Sequence, residues 1–274
     1  MRPSIAALAP ALMAASAAAA IALAPAQWTA PPAQPVSLTI QQRTGDGDQP
    51  IPWPADDIDW MFVRAGPRQW NLHQPPPTNG QQRTIQTASA GATMIGLELA
   101  PRIERIDPPA LPDLLAREGA STSADARQAA GALLAPAAAQ QPLRIRITQC
   151  AQAIIRAADD MTDVPAPVAL AKAGLPAEIR LLMDPTALVA PTDIMVRIYA
   201  GSASRQGALV RAHNLTTGAR TETTSAEHGI ATLTLPERGV WRLEFAWAER
   251  LEDDPEADIA IWTCSLGFEM TREN

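Results

Sequence analysis

The residues that could carry chemistry are few in this chain. Three histidines occur, His73, His213 and His228. Imidazole suits Ni²⁺ or Co²⁺, but a firm site needs several ligands brought together. His73 precedes a Pro-rich loop, His213 ends a predicted strand on its polar side, and His228 lies in a turn. No two share a spacing that would join them, so all three read as solvated surface residues. Six carboxylates crowd one short stretch: Glu249, Glu252, Asp253, Asp254, Glu256 and Asp258. Oxygen-rich loops can hold Ca²⁺, but the alternating ligands and turn glycine of an EF-hand are missing. A solvated acidic loop is the expectation, as it is for Asp46-Gly47-Asp48 and for Asp56, Asp57 and Asp59. The chain has no G-x-S-x-G elbow, H-E-x-x-H, P-loop or G-x-G-x-x-G. A Ser-His-Asp arrangement has little histidine to draw on. The expectation is a protein that is not an enzyme, with no catalytic residue, no metal ligand and no cofactor assigned.

Two cysteines, Cys150 and Cys264, stand 114 positions apart. An exported chain with an even count suggests one disulfide; two separate buried thiols is the other reading. Their spacing is not that of a zinc site.

Export itself is read from the amino terminus. Arg2 forms a positive n-region, Ile5 to Leu23 an uncharged Ala-rich stretch, and Ala24-Pro25-Ala26 an A-x-A cleavage site. This predicts a signal peptide over 1–26, a mature chain from Gln27 and a periplasmic location. An uncleaved anchor fits less well, because Ala inserts weakly and Pro10 interrupts the run. No later segment is long and apolar enough to span a bilayer. Losing Arg2 leaves 21 basic against 29 acidic residues, a net charge of −8. That balance argues against nucleic acid or anionic membrane as a partner.

Pro is frequent at 26 residues and long helical periods are scarce, which favours β structure. Val36, Leu38 and Ile40 alternate with polar residues. "TGDGDQPIPWP" reads as a loop, "DWMFVRAGPRQWNL" as strand, turn, strand, and "ATMIGLEL" as a strand. "LPDLLAREG" is a helix with Pro112 in its first turn and Gly119 at its C′ position. "SADARQAAGALL" suggests a second. "PLRIRITQCAQAIIRA" fits a strand and a helical stripe equally. After a polar, Pro-bearing linker come seven candidate strands with short turns, the pattern of a β-sandwich. Trp241, Leu243, Phe245 and Trp247 fall on one face and Arg242 and Glu244 on the other. Gly229 and Gly239 supply positive φ in the turns "AEHG" and "PERG". The expected fold is all-β: two immunoglobulin-like or transthyretin-like sandwiches with one short helical insert. The expected division is 27–160, a linker at 161–176, and 177–274.

"ALVRAHNLTTGARTETTSAEHGIATLTLPERGVWRLEFAW" resembles an exported bacterial family labelled as the periplasmic component of a cobalt or nickel transport system. The resemblance extends to "AEIRLLMDPTALVAPTDIMVRIYAG", "LELAPRIERIDPPALPDLLAREGA" and "IAIWTCSLGFEM". Ala187 and Thr192 stand where the family pattern has an aromatic and a Gly. The resemblance implies an accessory role in divalent metal uptake, with an envelope transport component and a divalent metal as partners. Family members often carry histidine near the mature amino terminus, whereas this chain has none before His73. The alternative is a structural or adhesive envelope module that binds protein or glycan through its loops.

Overall fold

A computed structural model describes residues 20–44, 47–65, 68–71, 82–88, 91–120, 125–134, 140–157 and 167–273. The amino-terminal half contains β1 (Ile21–Pro25), β2 (Thr29–Ala30), β3 (Pro35–Thr44), β4 (Gly47–Ile51), β5 (Ile58–Ala65), β6 (Arg68–Asn71), β7 (Arg83–Gln86), β8 (Gly91–Leu99) and β9 (Arg102–Ile106). Helices α1 (Leu111–Glu118) and α2 (Ala126–Leu133) follow, then β10 (Leu143–Ala157). The carboxyl-terminal half contains β11 (Ala177–Leu181), β12 (Val189–Ala190), β13 (Thr192–Ala200), β14 (Ala203–Ser204), β15 (Leu209–Asn214), β16 (Arg220–Thr224), β17 (Ile230–Leu235), β18 (Gly239–Arg250), β19 (Ile259–Met270) and β20 (Arg272–Glu273). The protein is all-β, and the helical insert is two short helices.

β10 organises the molecule. It pairs in parallel with β19 from Ile145↔Ile259 to Ala153↔Gly267, and on its other edge with β9 and then β8. One ten-stranded sheet therefore runs through both halves in the order β16-β15-β18-β19-β10-β8-β5-β6, with β2 and β9 also paired to β10. Its two faces are both covered. Cys150 and Ile154 of β10 join Phe62, Met94, Leu243, Phe245, Leu266 and Phe268 in a core against β11, β13 and β17. Ala151, Ala153 and Ile155 join Met61, Val63, Ile95 and Leu97 against β1, β3 and β7. Ile145 and Ile147 lie under α1 and α2, in contact with Leu111, Leu114 and Leu115. A strand buried on both faces loses its period-two polarity. That is why the residues of β10 also fitted a helical stripe.

The carboxyl-terminal half forms an immunoglobulin-like two-layer arrangement, with β11, β13, β14 and β17 over β16, β15, β18 and β19. All seven strands expected there are present. Trp241, Leu243 and Phe245 are buried, and Trp247 packs partly buried beside them. Gly229 and Gly239 have φ of 73° and 127°. Gly119 closes α1 in the left-handed region, as its sequence position predicted.

Three features depart from the expectations. The stretch read as a loop after β3 contains β4, a hairpin partner registered from Ile40↔Ile51 to Thr44↔Gly47. The described end of the stretch read as a linker is core, since Val168, Ala169, Ala173 and Leu175 are buried. The last residues of the stretch read as a leader form β1, a strand of the amino-terminal sheet registered on β3 from Ile21↔Gln42 to Pro25↔Leu38. Ile21 and Leu23 are 1% and 2% exposed.

Candidate functional site

The expected chemistry-bearing residues do not converge. His73 lies outside the described residues. His228 is exposed on a short turn, 3.5 Å from Glu227. His213 sits in β15, opposite Arg242 of β18 and Arg220 of β16. Burial, followed by the charges of Arg220, Arg43 and Arg242, pulls the His213 imidazole below its ordinary pKa. That environment repels a cation. Among the described residues no three His, Cys, Asp or Glu side chains are grouped to hold a metal.

The acidic loop is not simply solvated. Asp254 takes both guanidinium arms of Arg146, at 2.8 and 3.0 Å, and also accepts the backbone N–H groups of Glu256 and Ala257. Asp258 accepts from the backbone N–H and the guanidinium of Arg144. These contacts hold both carboxyls below their usual range, with the arginine hydrogen bond the largest cause in each case. The loop is a clasp joining the end of β18 to the start of β10. Asp48 is likewise engaged, accepting from Arg242 at 2.8 Å. Glu244 is paired with both Arg242 and Arg43, so this network ties the β3–β4 hairpin to β18.

Cys150 and Cys264 face each other across the parallel β10–β19 register, as free, fully buried thiols. Burial raises both thiol pKa values and suppresses the reactive thiolate. The separate-thiol reading is the one seen here.

A different cluster, not singled out in the sequence, reaches the surface at one end of the carboxyl-terminal sandwich. Trp247 of β18 is registered opposite Trp262 of β19, and both indoles are only partly buried. The Arg205 guanidinium lies 5.6 Å from one ring centroid and 5.8 Å from the other. It also pairs with both oxygens of Glu249, at 2.9 and 2.7 Å, and donates from Nε to the Ala200 carbonyl. The Trp247 indole N–H is directed to Glu249 at 3.4 Å. Gly201, at φ 57°, brings the β13–β14 turn against Trp262, where an added Cβ would sit 3.3 Å from the indole. Exposed Ala203 and Ser204 border the patch. The cluster has no nucleophile–base pair. Rigid indoles beside an ordered Arg–carboxylate pair form a surface suited to recognition, since Trp and Arg are the types that anchor contacts. The period-two pattern places Trp247 on the inward face with Trp241, Leu243 and Phe245. Only the pairing of β18 with β19 shows it side by side with Trp262 at a rim.

No protein-family profile matches the chain, and no curated protein is significantly similar to it. Among solved structures, it is similar at 8% identity to a structure from work on host cell surface retention of a 1.5-MDa bacterial ice-binding adhesin. That match covers 94% of this chain and 65% of that one, with a TM-score of 0.23. The D0–D1 domain of intimin matches at 9% identity over 91% of this chain and 97% of its own, with a TM-score of 0.20. A two-domain fibronectin type III segment of chicken tenascin matches at 12% identity over 88% and 95%, with a TM-score of 0.21. Superpositions this loose fix no shared topology, and the fold rests on the strand pairing described above.

Proposed function

We propose that this protein is a non-catalytic, exported module of the cell envelope, structural or adhesive, that binds protein or glycan at the Trp247–Trp262 end of its carboxyl-terminal sandwich. The observation that carries the reading is the indole pair held around Arg205 and Glu249. Four carboxylates elsewhere are engaged in the scaffold: Asp254 and Asp258 on arginines of β10, and Asp48 and Glu244 on Arg242. The same engagement gives a metal-uptake role no support among the described residues.

The test places a photo-crosslinking residue at position 204, beside the patch, in cells exporting the full chain. A discrete envelope adduct is expected, lost at least tenfold in a Trp247→Ala/Trp262→Ala double variant that keeps its far-ultraviolet circular dichroism. Binding to immobilised peptidoglycan fragments separates glycan from protein. No adduct and no glycan binding, or signals indifferent to both tryptophans, would remove the proposal.

A further inference from the structure

We infer that the leader is cut within the alanine run, after Ala17, so that residues 18–26 stay with the exported protein and supply an integral strand. The inference rests on the export reading above, and on the position of β1. β1 makes a five-residue register with β3. Its neighbours are tied in as well: Ala26 N–H donates to the Ser37 carbonyl, and Arg43 N–H is directed to the Ala20 carbonyl. The Ser265 hydroxyl of β19 donates to the Ile21 carbonyl at 2.7 Å. Ile21, Ala22 and Leu23 are all 5% exposed or less. A cut after Ala26 would strip this edge from β3 and open the apolar side chains of Leu38 and Ile40 to water.

The sequence offers a better site upstream. A leader's apolar stretch spans about 7–15 residues. With the cut after Ala26, the run from Ile5 to Leu23 exceeds that range. Ala15-Ser16-Ala17 is also an A-x-A site, and Ile5 to Met13 then forms an apolar stretch of ordinary length. The alanine run also offers A-x-A at Ala17-Ala18-Ala19 and at Ala18-Ala19-Ala20, but cuts after these would place a charged α-amine on Ala20 or on Ile21 itself, and Ile21 is 1% exposed. A cut after Ala17 leaves three residues between the new amine and the core. In the step itself, water adds across the Ala17–Ala18 amide. Ala17 leaves with a carboxylate and Ala18 keeps the amine, the catalytic groups coming from the membrane leader peptidase.

The full chain, expressed in an exporting bacterium, is recovered from the envelope fraction for amino-terminal sequencing and intact mass. Ala18 is the expected first residue. Ala17→Leu should block or displace that cut, and Ala26→Leu should leave it unchanged. An amino terminus at Gln27 would overturn this inference while leaving export intact. An unprocessed chain retained in the cytosol would overturn both. Leaderless chains give a second readout: one beginning at Gln27 should melt about 10 °C below one beginning at Ala18. Equal melting would show that β1 contributes nothing, and the inference would fail.

Discussion

At the residue scale, burial rather than residue type decides which ionisable groups matter. Glu118 ends α1 with its side chain fully enclosed. Neither carboxylate oxygen has a hydrogen-bond partner. Arg117 Nε, at 3.5 Å, attracts the charge without bonding it well. Desolvation therefore wins over Arg102 and Arg117 and pushes this carboxyl up to about 7. Glu98 is also raised to about 7, by burial and then by Asp59. A carboxyl whose folded pKa exceeds its unfolded value holds its proton more tightly in the native state. Its contribution is thus complete below about pH 4.5 and is lost as pH rises through about 7. Glu118→Gln copies the protonated form. It should raise stability at pH 8 by up to about 3 kcal/mol and change little at pH 5, as measured by urea denaturation at the two pH values. His213 acts with the opposite sign, since its depressed pKa costs stability as pH falls below about 6.5. An equal effect of Glu118→Gln at both pH values would show that the carboxyl is already solvated.

At the element scale, the clasp from the acidic loop to β10 makes the parallel pairing specific. The arginine pairs of Asp254 and Asp258 lie at the surface within reach of solvent, so each contact contributes modestly. Asp254→Asn/Asp258→Asn together should shift the urea midpoint modestly downward, and less so in molar salt, by chemical denaturation. Because these carboxylates are already bound by arginines, millimolar Ca²⁺ or Ni²⁺ should not move the melting temperature of the parent chain. A metal-dependent rise of several degrees would show that the loop prefers a cation to Arg144 and Arg146. Much of this level was legible in the sequence. Alternation identified the seven carboxyl-terminal strands, and Pro112 with Gly119 bounded α1. The ladder around β10 was not legible, because hydrophobicity on both faces erases the period. Arg242 and Glu244 pointed to an outer face, but no local signal says that a second sheet, carrying Arg43 and Asp48, covers it. The Trp247–Trp262 patch was hidden for a related reason: whether an inward indole reaches a rim depends on strand pairing and loop length.

At the scale of the whole molecule, the shared sheet should couple the two halves. Parallel pairing of β10 with β19 extends over nine residues. The core beneath β18 and β19 also takes Phe62, Ala92, Met94, Cys150 and Ile154 from the amino-terminal half. Glu178 caps the connection from within, accepting the backbone N–H groups of Ala173 and Gly174 at 2.6 and 2.8 Å. A chain of residues 161–274 alone would leave the β10-facing edge of β19 unpaired and the inner faces of Cys264 and Leu266 partly uncovered. An edge of that kind invites association with other chains. The full protein should therefore unfold in one transition, with coincident tryptophan-fluorescence and circular-dichroism curves. The isolated carboxyl-terminal half should aggregate or melt well below it. Two separated transitions in the full chain, or an isolated half as stable as the whole, would mean that β10 merely abuts β19 and that the halves fold independently.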